Sequence, residues 1–412
     1  MPKKTLIILT IILIIGTLVC INCRGIKERP RSKVVSPPSM DSEEDFTNID
    51  SVTLYATEVY RGGIIKRIFQ GNGYRKAWKM PIKVPVVYLD SVAGGLTPIK
   101  RGGGNQTLSM DLSSPNGDIF TLRSVNKDPS KLIPNWANKL RVGNLVTDGT
   151  SAQHPYAALP AGALADAMNI LHSEPHLVFI PHQKALGAFD ADYGGRMFFL
   201  EHEPEGPGSW IDRPNVKEIV DTEGAQKILI KNQQAKVNET ALLRVRFLDI
   251  VMGDWDRHAK QWGWVVMEKD SSILLEPLAT DRDNVFYNVG GIFPWIITRP
   301  AFVPFLRPHR KEIDHLEGLV KDFDVYFLYD TPVDAFILAA EKLKVDLTDE
   351  VIEQAFLVWP KNFRDEDADM IINRIKARRD QLGKYAVELH ESIREVGPLE
   401  EPLKGSEELY IQ

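Results

Sequence analysis

Residues 238–286 bring together side chains whose types and spacing could do chemistry. Asp254, Trp255, Asp256, Arg257, His258, Ala259, Lys260 and Gln261 form a dense polar cluster, and Asp281, Arg282 and Asp283 follow after a gap of nineteen residues. A helix must lead into the first cluster. Asn238 is a fitting N-cap, and Glu239 favours the positive end of the helix dipole. Leu242, Leu243, Phe247, Leu248, Ile250 and Val251 then recur near a 3.6-residue period, and Gly253 ends the helix. The apolar runs 262–267 and 273–278, joined by the turn Lys269-Asp270-Ser271-Ser272, read as a hairpin. Two acidic sites at the two ends of a short hairpin can face one another. That arrangement suits phosphoryl transfer, in which one aspartate takes a hydroxyl proton while another holds magnesium on the phosphates.

The string Asp256-Arg257-His258-Ala259-Lys260-Gln261 resembles the catalytic loop of atypical kinases of the HipA toxin type, which carry Asp-x-His-Ala-Lys-Asn before a hairpin and a metal-binding aspartate. Its Asp-Arg-His core is similar to that of the phosphoinositide kinases and the secretory-pathway casein kinases. Gly253-Asp254-Trp255-Asp256-Arg257-His258 with Asp281-Arg282-Asp283 resembles still more closely a group of uncharacterised Bacteroidetes envelope proteins, over most of residues 46–395. The kinase resemblance implies Mg2+ and ATP. It makes Asp256 the residue that orients or deprotonates an acceptor hydroxyl, Asp281 the main metal ligand, and Asp283 its neighbour in that role. Gln261 stands where the HipA group has a metal-binding Asn, although a neutral amide is a weaker magnesium ligand than a carboxylate. His258 is expected to organise the catalytic loop, and Asp254 to hold Arg257 or His258. Without the resemblance, the same residues also suit a structural helix end backed by buried tryptophans.

Upstream, residues 96–100 and 106–112 read as strands around the loop Arg101-Gly102-Gly103-Gly104-Asn105. Pro115-Asn116-Gly117-Asp118 is a hairpin turn, and residues 119–124 form a third strand. A glycine-rich loop between two such strands lets backbone amides approach phosphates, though an ordinary glycine-rich hairpin looks the same. A kinase nucleotide lobe has this order, with a cation on the third strand. Here the cation is Arg123, or Lys127 just beyond it; Arg in place of Lys departs from the usual pattern. A helix expected over 161–171 stands where kinases place a glutamate for that cation, yet it offers only Asp166, with Asp148 before it. Strands at 177–181 and 196–202 lead to Leu200-Glu201-His202-Glu203, which takes the place of an interlobe hinge offering groups to adenine. His172, His176, His182 and His202 do not have the spacing of a metal-ligand pair.

At 412 residues and 43% hydrophobic, the chain is long enough for one large two-lobed domain. Its 50 basic against 56 acidic residues, a net charge of −6, give no support for nucleic acid as a partner. Both cysteines, Cys20 and Cys23, lie near the N-terminus, which rules out a disulfide framework in the body. Lys3 and Lys4 precede an apolar run over 6–21, the pattern of a signal peptide or membrane anchor with the body exported. Val19 and Asn22 stand before the cysteines where a lipid-attachment motif wants a small residue. Residues 24–45, rich in proline, serine and mixed charge, read as a flexible tether. After Phe286, four prolines break an aromatic stretch, Thr348-Asp349-Glu350 opens a helix, and 365–394 reads as a charged helix with Lys376, Arg378 and Arg379 on its solvated face.

The expected fold is α+β: a two-lobed protein-kinase-like fold behind an N-terminal membrane segment. The segment spans 1–23, the linker 24–45, a strand-rich nucleotide lobe 46–203, a mainly helical catalytic lobe 204–397 and an acidic tail 398–412. The expected activity is Mg-ATP-dependent phosphoryl transfer in the cell envelope to a protein or small-molecule acceptor. Export would place the site where ATP is scarce. A pseudokinase used for binding or scaffolding is the alternative, favoured by the Arg123 and Gln261 departures. A metal-dependent phosphoesterase ranks last: Gly-Asp-x-Asp-Arg is reminiscent of one such family, but the family's upstream Asp-x-His and downstream Gly-Asn-His strings are missing.

Overall fold

A computed structural model describes residues 16, 33–36, 46–60, 63–102, 107–127, 148–399 and 403. Gly103, Gly104, both cysteines and most of the N-terminal apolar run and acidic tail lie outside them. Among the described residues no helix is long and apolar enough to cross a membrane.

The strands form three sheets. β1 (Lys33–Ser36), β2 (Ser51–Tyr55) and β3 (Ile82–Pro85) make a small antiparallel sheet in that order. β1 falls inside the stretch read as linker, so the body begins earlier than its composition indicates. The second sheet holds β4 (Thr97–Gly102), β5 (Thr107–Ser113), β6 (Ile119–Lys127), β7 (His176–Ile180) and β8 (Arg196–His202) in the order β4-β5-β6-β8-β7, every pair antiparallel. The turn joining β5 to β6 needs Gly117, whose φ of 86° lies in the left-handed region, and the Ser114 amide closes it on Asp118 O at 3.0 Å.

The third sheet was not expected in the second half of the chain. β9 (Val216–Asp221), β10 (Ala235–Val237), β11 (Trp262–Lys269) and β12 (Ser272–Ala279) order as β10-β12-β11-β9, with β10 parallel to β12. β11 is one of its two inner strands, and residues 262–266 are all buried, so its sequence runs apolar on both faces. The β11–β12 hairpin pairs Trp262 with Ala279 and Lys269 with Ser272, with Asp270 at φ 56° in the turn.

The helices that matter for the site are α1 (Ile64–Gln70), α2 (Ala158–Ala167), α3 (Thr222–Lys231), α4 (Glu239–Met252), α5 (Ile292–Ile297), α6 (Val333–Asp346), α7 (Asp369–Asp380) and α8 (Leu382–Val396). α4 packs against α6, α7 and α8, so residues 245–252 are buried all round and the helix serves as the axis of this half. The stretch read as one charged helix is broken: a π-helical turn spans Arg364–Ala368, and Gln381 separates α7 from α8. Arg378 also departs from expectation. It is 1% exposed, and its guanidinium donates to the carbonyls of Ile250, Pro308 and Arg310, so it ties the last turn of α4 to the loop 308–310 inside the core.

Candidate active site

The acidic loop hangs from the C-terminus of α4. Asn238 starts that helix by accepting from the Ala241 amide at 3.1 Å. Gly253 ends it at φ 73°, where a Cβ would lie 2.8 Å from His309 Cδ2 and 3.0 Å from Arg378 Nη1. Only glycine fits both the turn and the space. The chain then folds on itself: the Asp256 amide donates to Asp254 Oδ1 at 3.2 Å. His258 Nδ1 accepts from the Lys260 amide at 3.2 Å and so caps the single turn Ala259–Gln261. Burial lowers the His258 pKa, with Asp256 opposing. The neutral ring therefore carries its proton on Nε2, 4.0 Å from Asp256 Oδ1.

Beneath the loop sits a carboxylate that the sequence did not single out. Asp249, on the last turn of α4, is fully buried. Its Oδ2 accepts from Arg257 Nε at 3.0 Å, and its Oδ1 accepts from Arg282 Nε and Nη2 at 3.2 and 3.1 Å. Arg246 adds a 3.4 Å contact while anchoring to Asp324 at 2.6 Å. Arg257 also donates to Thr280 O at 2.6 Å and lies 4.3 Å from the Trp262 ring centroid. One side chain thus ties both acidic segments to α4. Breaking a buried pair of this kind costs about 3–5 kcal/mol, because a charge is left unpaired.

The second segment meets the five-stranded sheet. Asp281 takes φ 52°, a left-handed conformation for a residue with a side chain. Arg123, on β6, reaches Asp281 Oδ2 at 3.1 Å and Glu201 Oε1 on β8 at 2.8 Å. Lys127, at the end of β6, pairs with Asp283 Oδ2 at 2.8 Å. Asn284 Nδ2 donates to Asp256 Oδ2 at 3.1 Å, joining the two acidic segments directly. Burial raises Asp281, but Arg123 and Lys127 outweigh it and hold the carboxyl below its usual range. Asp283 is pushed up to about 7 by burial and the charge of Asp281, against Lys127. Burial raises Asp256 as well, and Asp281 adds to the rise while His258 opposes it.

Asp256, Asp281 and Asp283 each keep one buried oxygen, Oδ1, without a hydrogen-bond partner. Buried carboxylate oxygens of this kind call for a cation or a donor. Among the described residues no group of three or more His, Cys, Asp or Glu is arranged to hold a metal ion by itself. Magnesium does not need such a cage, since it binds through one or two carboxylates while substrate phosphates and water complete its shell. Asp281 and Asp283 therefore fit a magnesium–phosphate group better than an isolated ion.

The remaining expected site residues are placed as follows. Gly102 ends β4 opposite Ser109, which is opposite Arg123, so Gly102 stands two strand spacings, about 10 Å, from Arg123. A Cβ there would meet Ser109 Oγ at 2.3 Å, so this glycine serves the strand contact. Gly103 and Gly104 lie outside the described residues. Gln261 is turned inward: its Oε1 accepts from Arg257 at 3.3 Å and its Nε2 faces Asp256 Oδ2 at 3.4 Å. That geometry does not offer it as a metal ligand. Glu201 is held by Arg123 and by the Ser173 hydroxyl at 2.6 Å, so its carboxylate partners the third-strand cation, the role sought on α2. The amides of His202 and Glu203 donate to Ser173 O and Ile119 O, which leaves neither for a purine. Of the histidines, His172 pairs with Asp166 at 2.8 Å, and His202 stacks on Trp210 with centroids 4.1 Å apart.

No family model matches the chain, and no curated protein matches it. Two solved structures share a loose likeness. One is the Helicobacter pylori proinflammatory kinase CtkA, at 11% identity and a TM-score of 0.34, covering 73% of this chain and 96% of that one. The other is HipA in the Shewanella oneidensis MR-1 toxin–antitoxin complex with HipB and operator DNA, also at 11% and 0.34, covering 76% and 77%. Likeness at this level adds no weight to the site's own geometry.

Proposed function

We propose that the chain is an exported, membrane-anchored atypical kinase-like protein of the cell envelope, transferring phosphate from Mg-ATP to a hydroxyl of a protein or small molecule. Residues 46–203 would form the nucleotide lobe and 204–397 the catalytic lobe, as the resemblance to the Bacteroidetes envelope group and the atypical kinases implies. The observation that carries this reading is the set of unpartnered Oδ1 atoms on Asp256, Asp281 and Asp283, the last two of these carboxylates being paired through Oδ2 with Arg123 and Lys127 of β6. Asp281 and Asp283 would hold the magnesium, which supplies charge neutralisation on the phosphates. Asp256 orients the acceptor hydroxyl and takes its proton as the new O–P bond forms and the bond to the leaving ADP breaks. Asn284 fixes the direction of that carboxylate through Oδ2, with His258 4.0 Å from Oδ1, while Arg123 and Lys127 would offer positive charge to the phosphates from the sheet.

A pseudokinase remains the second reading, favoured by the inward-facing Gln261 amide and by the occupied amides of His202 and Glu203. Radiolabelled ATP with magnesium and the full chain separates the two. Wild type should label itself or an added acceptor, and Asp256→Asn should lose at least about a hundredfold in rate while still binding nucleotide, the range a general base supplies. Binding without any transfer by the wild type would establish the pseudokinase instead.

A further inference from the structure

α1 and α5 pack side by side and leave an apolar face in solvent. Their junction is made of backbone: a Cβ on Gly71 would lie 2.3 Å from Gly290 O, and one on Gly291 would lie 2.3 Å from Gly71 N. Phe69 and Phe293 close the seam with ring centroids 5.7 Å apart. Outside the seam, Ile64, Ile68, Ile292, Trp295, Ile296, Ile297 and, just beyond, Phe302 are all exposed, Trp295 by half and Phe302 by 65%. No residue of α5 is buried. Single exposed apolar residues mean little, whereas a contiguous group on two locked helices marks a contact surface.

Charge says what it contacts. In a chain with 56 acidic residues, the sequence carries no Asp or Glu from 59 to 89 and none from 284 to 311. Those are the segments that build the platform, and their exposed cations include Arg67, Arg299, Arg310 and Lys311, whereas Lys66 is paired with Asp148 and Arg307 is buried. Arg299 lies 3.9 Å from the Trp295 ring centroid, a pair suited to the boundary between acyl chains and anionic headgroups. A second copy on the same patch would set these cations against their own kind. The tether argues the same way. β1 starts twelve residues after Ile21, so its start can lie at most about 40 Å from the end of the apolar run.

We infer that the α1–α5 platform lies on an anionic lipid bilayer. It rests on the anchor reading of residues 6–21 for the tether and is independent of any kinase activity. The platform adjoins the catalytic loop: Trp255 contacts Tyr287 and Phe305, with ring centroids 5.9 and 6.0 Å away. Docking would therefore open the site beside the membrane surface.

The test reconstitutes the full chain into phosphatidylcholine–phosphatidylglycerol vesicles carrying brominated acyl chains. The N-terminal run contains no tryptophan, so quenching of tryptophan emission reports the body. Vesicle flotation and quenching are both expected, with quenching falling toward the unbrominated level in Trp295→Phe, a variant that keeps an aromatic at that site. Ile296→Glu should reduce the quenching of Trp295 while flotation and the circular dichroism spectrum stay the same. Flotation with quenching that is indifferent to Trp295→Phe would overturn the platform and spare the anchor. Loss of flotation would overturn both. Shielding of Trp295 by self-association, seen as crosslinking through Ile292→Cys in unbrominated vesicles, would also overturn the inference.

Discussion

Asp254 has one oxygen on the Asp256 amide, while the other is buried without a hydrogen bond, 3.9 Å from Arg257 Nη1. Burial pushes it up to about 7, against Arg257, with Asp249 and Asp256 adding to the rise. An unfolded aspartate titrates near 3.9, so between about pH 4 and 7 the folded chain holds a proton that the unfolded chain has lost. Stability from this group is therefore full below that window and is lost as pH rises through it. Asp254→Asn is neutral throughout, so its melting temperature should fall less between pH 5 and 7.5 than that of the wild type, measured without nucleotide. Equal slopes would show that Asp254 is ionised in the fold. Residue identities such as Asp256 and Asp281 stood out in the sequence because carboxylates cluster there. Asp249 did not, because it sits in an apolar helix and meets Arg257 and Arg282 only after the loops fold over it. The inward turn of Gln261 and the burial of Arg378 were hidden for the same reason: side-chain direction is set by tertiary packing.

At the scale of elements, α4 and the hairpin after it were legible, since capping residues, a helical period and turn residues are local signals. β9 and β10 gave none: both are short, and β9 pairs with β11 some forty residues on. Where a local signal does control geometry, it can be tested singly. Gly253 turns α4 into the acidic loop at a positive φ, beside His309 and Arg378. Gly253→Ala adds about 1–2 kcal/mol of left-handed strain and a collision with packed side chains. The variant should melt lower by at least that amount in denaturant titration, and amides in residues 254–261 should exchange faster than those of α8. Wild-type stability would show that the loop can leave α4 by another turn.

Across the whole molecule, Arg123 and Lys127 on the five-stranded sheet close on Asp281 and Asp283, which follow the four-stranded one. The succession β4, β5, β6 in the five-stranded sheet was readable from turns and glycines. The meeting of the third-strand cations with the acidic segments was an expectation from motif order, whereas the sheet that carries those segments was not foreseen. Magnesium and nucleotide are what the unpartnered oxygens on Asp256, Asp281 and Asp283 are proposed to meet. A ligand that binds only the folded chain stabilises it by about 2.7 kcal/mol at a hundred times its Kd. The most direct test is the thermal unfolding of the full chain with ATP, with and without magnesium. Wild type should melt several degrees higher with Mg-ATP than with either component alone, and Asp281→Asn should lose that gain while folding normally. A wild-type chain whose melting is unmoved by Mg-ATP at millimolar concentration would contradict the assignment of Asp281 and Asp283 to a magnesium–nucleotide site.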